Sequence, residues 1–235
     1  MKNATSVGVL IAVCTFCVSA EGQLPVVINL PGEDAAVMKL TEADLALIKK
    51  SALPKVRKRL VSDSCEESFE PAGVVKGSFS RPNSDQRLVF YQFCQTGNGL
   101  GEVGLILIDG GKVIGNYFSD VGWSVGIKAL PDIDGNGVNE AALYYSGGMH
   151  QGEGGTGVDI VELTPTGVKG FGWFQADHFS EETDNFAYRV TAKPGKVPLY
   201  YREKYVQTAD GKWKRTGRVT PLRLQKTVGV FKPIK

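Results

Sequence analysis

The chain has 235 residues, of which 42% are hydrophobic and 22% are charged, and its formal net charge is +2. This composition is that of a folded protein with one sizeable core or two small ones, and it excludes disorder on a large scale. The charge is unevenly distributed. Acids crowd Asp132–Asp184, whereas from Arg189 onward thirteen lysines and arginines face only two acids. We therefore expect a dipolar molecule.

The first residues have the pattern of a secretory signal peptide. Lys2 supplies positive charge, Val7–Val18 is an apolar stretch, and Val18–Ala20 is a small-residue cleavage site. The apolar stretch is too short for a transmembrane helix, and no later segment approaches the roughly 20 apolar residues that span a bilayer. The sequence thus predicts residues 1–20 as a signal and a secreted or periplasmic mature protein with no transmembrane segment.

Removal of this signal leaves Cys65 and Cys94 as the cysteines of the mature chain. In an oxidising compartment, two such residues favour a disulfide over a catalytic or metal-binding role. The predicted bond closes a loop of about 28 residues, which corresponds to roughly 3 kcal/mol of stabilisation in the chain-entropy model.

Residues 21–70 form a predicted N-terminal extension with one helix at about 41–53. Thr41 is the candidate N-cap, and the helix is expected to end before Pro54. Apolar residues near helical spacing support this helix: Leu45, Ile48 and Leu53. The charged run that follows, Lys55–Arg59, is expected to be a solvated face.

Residues 71–235 form a predicted β domain, because short apolar runs alternate there with Gly, Asn, Asp and Pro. The predicted strands are Val74–Phe79, Arg87–Cys94, Gly101–Ile108, Lys112–Phe118, Ser124–Leu130, Ala141–Tyr145, Val158–Thr164, Gly167–Phe174, Ala187–Thr191, Leu199–Thr208 and Trp213–Leu224. The predicted fold class is mainly β, with antiparallel sheets and tight glycine turns, one N-terminal helix, and either a partial β-propeller or a β-sandwich architecture. Similar hairpins at Leu105–Val113 and Asp159–Lys169 leave open a weak repeat of about 50 residues.

The segment Asp132–Glu140 places oxygen-bearing side chains at alternate positions around glycines. Calcium takes six to eight oxygens, so the predicted ligands are Asp132, Asp134, Asn136, the backbone carbonyl of Val138, and Glu140. An EF-hand is excluded because no helical pattern flanks the loop and the twelfth position, Leu143, is apolar. We predict a structural calcium site within residues 132–140; the alternative is a polar glycine turn without an ion.

The loop and its neighbours resemble a known repeat. Gly122–Val125, the acidic loop, and the apolar Ala141–Gly148 together resemble an FG-GAP repeat, the calcium-loop blade of integrin-like β-propellers. The sequence departs from the usual pattern in three places: Val121 stands at the leading aromatic position, Glu140 replaces the commoner final Asp, and Gly147–Gly148 is not followed by Ala-Pro. The resemblance covers residues 122–148 and implies two blade strands that flank a structural calcium site.

Other motifs fit catalysis less well. Gly122–Gly126 matches G-x-S-x-G, but a nucleophile at Ser124 needs a helix after it, where the sequence predicts a strand. His150 and His178 lack the partners of a zinc site and are expected to be exposed loop residues. The run Gly147–Gly157 is expected to be a flexible loop near the calcium site, and loops of this kind often contact ligands.

These features favour an exported, calcium-stabilised binding or interaction module. Cations alternate with aromatics at Tyr200–Arg202 and Lys212–Arg215, so the expected partner is a protein or an anionic polysaccharide. Export argues against nucleic acid, and a monomer is expected. The alternative is a secreted hydrolase of cell-wall or extracellular polymers, with its acid and base drawn from Asp177, Glu181 and Glu153.

Overall fold

The computed structural model describes residues 23–32, 39–58, 69–97, 100–120, 122–146, 151–181 and 185–234. The helices are α1 (Glu42–Ser51) and α2 (Leu53–Arg57). The strands are β1 (Val26–Asn29), β2 (Glu70–Gly77), β3 (Gln86–Gly97), β4 (Leu100–Asp109), β5 (Lys112–Ser119), β6 (Ser124–Ala129), β7 (Ala141–Ser146), β8 (Glu153–Gly154), β9 (Thr156–Thr164), β10 (Gly167–Gln175), β11 (Asp177–Ser180), β12 (Phe186–Lys193), β13 (Leu199–Gln207), β14 (Trp213–Leu222) and β15 (Lys232–Pro233).

The predicted fold class is confirmed, since the protein is mainly β and its sheets are antiparallel. Every predicted strand is present, with ends that differ by a few residues. The short strands β1, β8, β11 and β15 are not predicted, because two to four residues are too few for alternation to show.

The strands form three sheets. The first sheet has the order β15-β5-β4-β3-β2, and the second has the order β10-β9-β7-β6. The third has the order β14-β13-β12-β11-β8, and β1 also pairs with β12. Within the first two sheets most neighbours are consecutive in sequence, as in the meander of a propeller blade.

The three sheets stack face to face, with the helices against the outer face of the first sheet. In β3, Leu88 and Phe90 pack towards the second sheet, whereas Val89 and Tyr91 pack towards the helices. A separate core lies between the second and third sheets. This order of layers fits both predicted architectures, the partial propeller and the sandwich.

The two central strands of the second sheet, β7 and β9, are buried on both faces. β7 is buried at its first five positions and β9 at seven consecutive positions. Alternate residues serve different cores: Leu143 and Val161 contact the first sheet, and Tyr144 and Ile160 contact the third. A strand of this kind reads as a continuous apolar run rather than as an alternating one.

The N-terminal helix begins as predicted, because the Thr41 side chain accepts a hydrogen bond from the Asp44 amide at 3.1 Å. The helix ends before Pro54 as expected, since α1 ends at Ser51, and a second helix that the sequence does not predict, α2, begins at Leu53 and includes Pro54. A proline in the first helical turn loses no hydrogen bond, since its amide would be unpaired there anyway. The run Lys55–Arg59, which is expected to be solvated, also contains Val56 of α2. The Val56 side chain is fully buried between α2 and the first sheet.

The segment before residue 70 joins the β structure at both ends of the stack. β1 adds to the third sheet through β12, and the helices pack on the first sheet. Asp44 ties α1 to β3 through an ion pair with Arg87, 2.6 Å between Oδ1 and Nη2. Within the described ranges, neither helix has the length or apolar composition needed to cross a membrane.

Three predictions fall on residues outside the described ranges: the signal at 1–20, Cys65 and His150. Cys94 lies fully buried in β3. Its pairing with Cys65 stays a prediction.

Residues 225–234, here called the C-terminal segment, connect the second sheet to the first. Gln225 forms a bridge with Trp173 of β10, and β15 pairs with β5. Between these points, the amides of Val228 and Gly229 donate to the buried Asp159 carboxylate at 3.2 and 3.0 Å. Burial raises the pKa of Asp159, and the two amides offset part of this effect.

Replacement of Asp159 should detach the C-terminal segment. Asp159→Ala leaves two amides without their acceptor, so we expect a loss of about 3 kcal/mol in the free energy of unfolding, measured by urea denaturation. Asp85→Ala, at an exposed position, is the control and should change stability little. An equal stability of the two variants would show that the segment contributes little to the stack.

Candidate metal centre

The acidic loop Asp132–Glu140 connects β6 to β7, as the sequence predicts. At its base, the Leu130 amide donates to the Glu140 carbonyl at 2.8 Å. Gly135 and Gly137 have φ values of +84° and +90°, in the left-handed region that favours glycine. The glycines of the motif therefore allow the chain to turn sharply enough to bring its first and last residues together.

Asp132 organises the loop from within. Its carboxylate accepts hydrogen bonds from the amides of Gly135, Asn136 and Gly137, at 2.7, 3.1 and 2.7 Å. Side chains of aspartate commonly stabilise turns in this way. The geometry of the loop is thus fixed by its own first residue.

Three carboxylates meet inside the loop. Asp132, Asp134 and Glu140 each offer an oxygen that lies within 4.8 Å of the others. Glu140 is fully buried, and its Oε2 accepts a hydrogen bond from the Ile133 amide at 2.9 Å. Glu140 Oε1 and Asp134 Oδ1 are also buried, yet neither has a hydrogen-bond partner among the described residues.

The protonation of Glu140 reflects this crowding. Burial raises its pKa to about 7, and the nearby charges of Asp134 and Asp132 add to the rise, although the Ile133 amide opposes it. A buried carboxylate without a full set of partners is costly in its charged form. A cation bound between the three side chains would remove this cost.

The other two predicted ligands also lie in the loop. The Asn136 Oδ1 atom accepts a hydrogen bond from the Val138 amide at 2.9 Å. Its Nδ2 donates to Glu162 Oε2 of β9 at 2.6 Å. The roles of Asn136 and of the Val138 carbonyl as metal ligands stay predictions.

Lys169 and Glu162, which sequence reasoning missed, extend the site onto the second sheet. The Lys169 Nζ atom of β10 lies 3.0 Å from Asp134 Oδ2 and 3.6 Å from Glu162 Oε2. It also lies 4.3 Å from the centre of the Phe171 ring. A lysine thus partly neutralises the acidic loop from outside. Only the sheet register brings these residues together, so no local motif could reveal them.

Tyr200 reaches the site from the third sheet. Its hydroxyl is buried without a hydrogen-bond partner in the described part of the chain. Burial raises the pKa of Tyr200, and the charges of Glu140 and Asp134 raise it further. Tyr200 packs in the same core as Ile133 of the loop.

The loop also links the three sheets. Asn139 exchanges hydrogen bonds with Ser78, just after β2 of the first sheet, with 2.7 Å between Oδ1 and the Ser78 amide. The carbonyl of Ile133 accepts from the Gly195 amide, between β12 and β13, at 2.9 Å. The Ile133 side chain is fully buried in the core of the second and third sheets.

The serine motif has a structural role. Ser124 is buried at the start of β6, and its amide and Oγ both donate to Gln92 Oε1, at 2.8 and 3.1 Å. A strand follows it, not a helix. A nucleophile elbow has no support here.

The histidine and glycine-rich predictions need correction where the structure describes them. His178 lies on β11, half-buried and stacked on Phe186 with 5.3 Å between ring centres, and not in an exposed loop. The expected loop Gly147–Gly157 includes β8 and the start of β9. Pairing of β8 with β11 orders that part of the run, because Gly154 opposes Phe179.

The acids of the alternative hydrolase hypothesis lie around the same short strands. Glu153 pairs with Ser180 of β11, next to Glu181. Asp177 is buried, and its carboxylate accepts a hydrogen bond from the Thr156 amide at 2.5 Å. Burial raises the pKa of Asp177, and the hydrogen bond from Thr156 opposes this. This carboxylate holds the backbone of β9.

Comparison with known proteins adds no relative: the chain matches no protein-family model, no curated protein and no solved structure. The FG-GAP resemblance rests on the residues of the loop and its flanks, and it stays a prediction.

The pH dependence of stability should report on Glu140. Its pKa is about 7 in the fold against an ordinary value of 4.5, so the folded state binds the proton more tightly. In calcium-free protein, the free energy of unfolding should therefore fall by on the order of 3 kcal/mol as the pH rises from about 4.5 to 7. Urea denaturation across this range measures the slope. Glu140→Gln, which cannot ionise, should flatten it; an unchanged slope in this variant would contradict the assignment.

Proposed function

We propose that the protein is an exported β module in which the acidic loop binds one calcium ion and fastens the three sheets, and that it works by binding a partner. The observation that carries the calcium site is the pair of buried, unpartnered oxygens, Glu140 Oε1 and Asp134 Oδ1. They lie in a cluster whose third member is Asp132. Buried charged oxygens are rarely left without a partner, so a bound cation would account for both at once.

The donor set favours calcium over other ions. It is built of oxygens, without the histidine or cysteine that zinc and copper prefer. Three carboxylates, the Val138 carbonyl and the Asn136 amide oxygen supply more protein ligands than magnesium usually accepts. A calcium-rich exterior would keep such a site occupied.

A structural role for the ion follows from the contacts of the loop. Glu140 is fully buried, so a substrate has no access to it. The same loop reaches the first sheet through Asn139 and the third through Ile133. An ion that rigidifies this connection stabilises all three layers together.

Calcium should raise the melting temperature of the mature protein. With free calcium at 100 times its dissociation constant, linkage predicts about 2.7 kcal/mol of stabilisation relative to chelated protein. Asp132→Ala combined with Asp134→Ala should abolish this difference. The matched control, Asp85→Ala with Asp210→Ala, removes the same charge from two exposed positions and should keep it.

Differential scanning calorimetry with calcium, magnesium and chelator makes the comparison. Equal melting temperatures of the unaltered protein in calcium and in chelator would overturn the proposal. A larger shift with magnesium than with calcium would assign the site to the other ion.

Lys169 should weaken calcium binding, because its charge lies beside Asp134. Lys169→Met keeps a long side chain over Phe171 and removes the charge, so we expect about fivefold tighter binding, equivalent to about 1 kcal/mol. Isothermal titration calorimetry measures the affinity. Lys193→Met, an exposed position on β12, is the control. Unchanged or weaker binding in Lys169→Met would show that the lysine does not compete with the ion.

A further inference from the structure

The third sheet extends past the core that it shares with the second sheet. Val190, Ala192 and Tyr200 are buried in that core. On β14, in contrast, every residue between Trp213 and Leu222 is exposed. The hairpin of β13 and β14 is therefore only partly covered, and its uncovered part is rich in cations.

Cations and aromatic rings share one face of this uncovered part. Directly paired residues of neighbouring strands lie on the same face of a sheet. In the register, Tyr188 opposes Lys204, Val190 opposes Arg202, and Phe186 opposes Val206, which in turn opposes Lys214. We call the basic-aromatic face the set Phe186, Tyr188, Arg202, Lys204 and Lys214.

Two cations of this face, Arg202 and Lys204, make cation–π contacts with aromatic rings. Lys204 Nζ lies 4.4 Å from the centre of the Phe186 ring, and Arg202 Cζ lies 4.8 Å from that of Tyr188. His178 stacks on the other side of the row, against Phe186. Cation–π contacts position a cation without neutralising it.

The opposite face of the same strands is different. There, Arg189 and Arg215 share the Glu203 carboxylate, at 3.6 and 3.5 Å. On the basic-aromatic face, Arg202 and Lys204 form no ion pair within the described ranges. Part of the positive charge on the opposite face is thus neutralised by Glu203, while Arg202 and Lys204 keep their charge available.

The spacing of these charges fits an extended anionic chain. Arg202 and Lys204 are two residues apart on one strand, which places them about 7 Å apart, and neighbouring strands lie about 5 Å apart. A linear polymer with a charge on each repeating unit can meet several such cations at once.

We propose that the basic-aromatic face binds an acidic polysaccharide, with Arg202, Lys204 and Lys214 on its anionic groups and with Phe186 and Tyr188 positioning Lys204 and Arg202. This names the partner of the binding module proposed above and rests on that proposal. The calcium loop lies on the second sheet, so its occupancy is measured separately from binding at this face.

The test compares two triple variants of the mature protein in calcium. Arg202→Gln, Lys204→Gln and Lys214→Gln together alter the basic-aromatic face. Lys49→Gln, Lys50→Gln and Lys55→Gln together remove the same charge from exposed positions of the helices. Affinity for hyaluronate and for heparin is measured by calorimetry at several salt concentrations, with neutral dextran and single-stranded oligodeoxythymidine as comparison ligands.

We expect the unaltered protein to bind at least one acidic polysaccharide and not dextran. The face variant should lose at least tenfold in affinity with a shallower salt dependence, and the helix variant should stay within twofold. Equal losses in the two variants, no binding of either polysaccharide, or tighter binding of oligodeoxythymidine would overturn the proposal. An unchanged calcium-induced rise in melting temperature shows that the face variant is folded and that the calcium proposal stands independently.

Discussion

Burial of the two central strands of the second sheet on both faces is the constraint on which the rest of this fold depends. Strands β7 and β9 have no solvent-facing side, so the sheets on either side must supply complementary apolar surfaces. The alternation in β3 serves two cores for the same reason. Any charged group on the second sheet must then find a partner within the protein or bind one from outside.

Three acids on or beside this sheet meet that requirement in different ways. Asp159 is satisfied by two amides of the C-terminal segment, and Glu162 by Asn136 and Lys169. Glu140 has only one of its side-chain oxygens satisfied. The three acids therefore differ in how fully their side-chain oxygens are paired with protein donors. Two buried acids accept hydrogen bonds from protein donors or form ion pairs with them, whereas Glu140 Oε1 has no hydrogen-bond partner among the described residues.

Most of the fold was accessible from sequence, because strand alternation, glycine turns and the spacing of Asp132, Asp134 and Glu140 are local patterns. The parts that were not accessible depend on register between distant strands. Lys169 and Tyr200 approach the acidic loop from β10 and β13, and neither lies in a sequence motif that indicates a metal or ligand site. Pro54 shows how far a local rule reaches: α1 ends before it as expected, but the same residue lies in the first turn of α2, a helix too short for apolar periodicity to show.

Strand β14 ends the third sheet, and an exposed edge of this length normally invites another strand to pair with it. If a second copy of the protein paired with this edge, Lys214, Arg215 and Arg218 would face the same cations of that copy. Gly217 interrupts the regular pleat at φ +75°, and Pro221 has no amide to donate. The residues that leave this ribbon positively charged thus also discourage edge-to-edge aggregation. A strand protected in this way can stay exposed at the edge of the sheet without recruiting a second copy of itself.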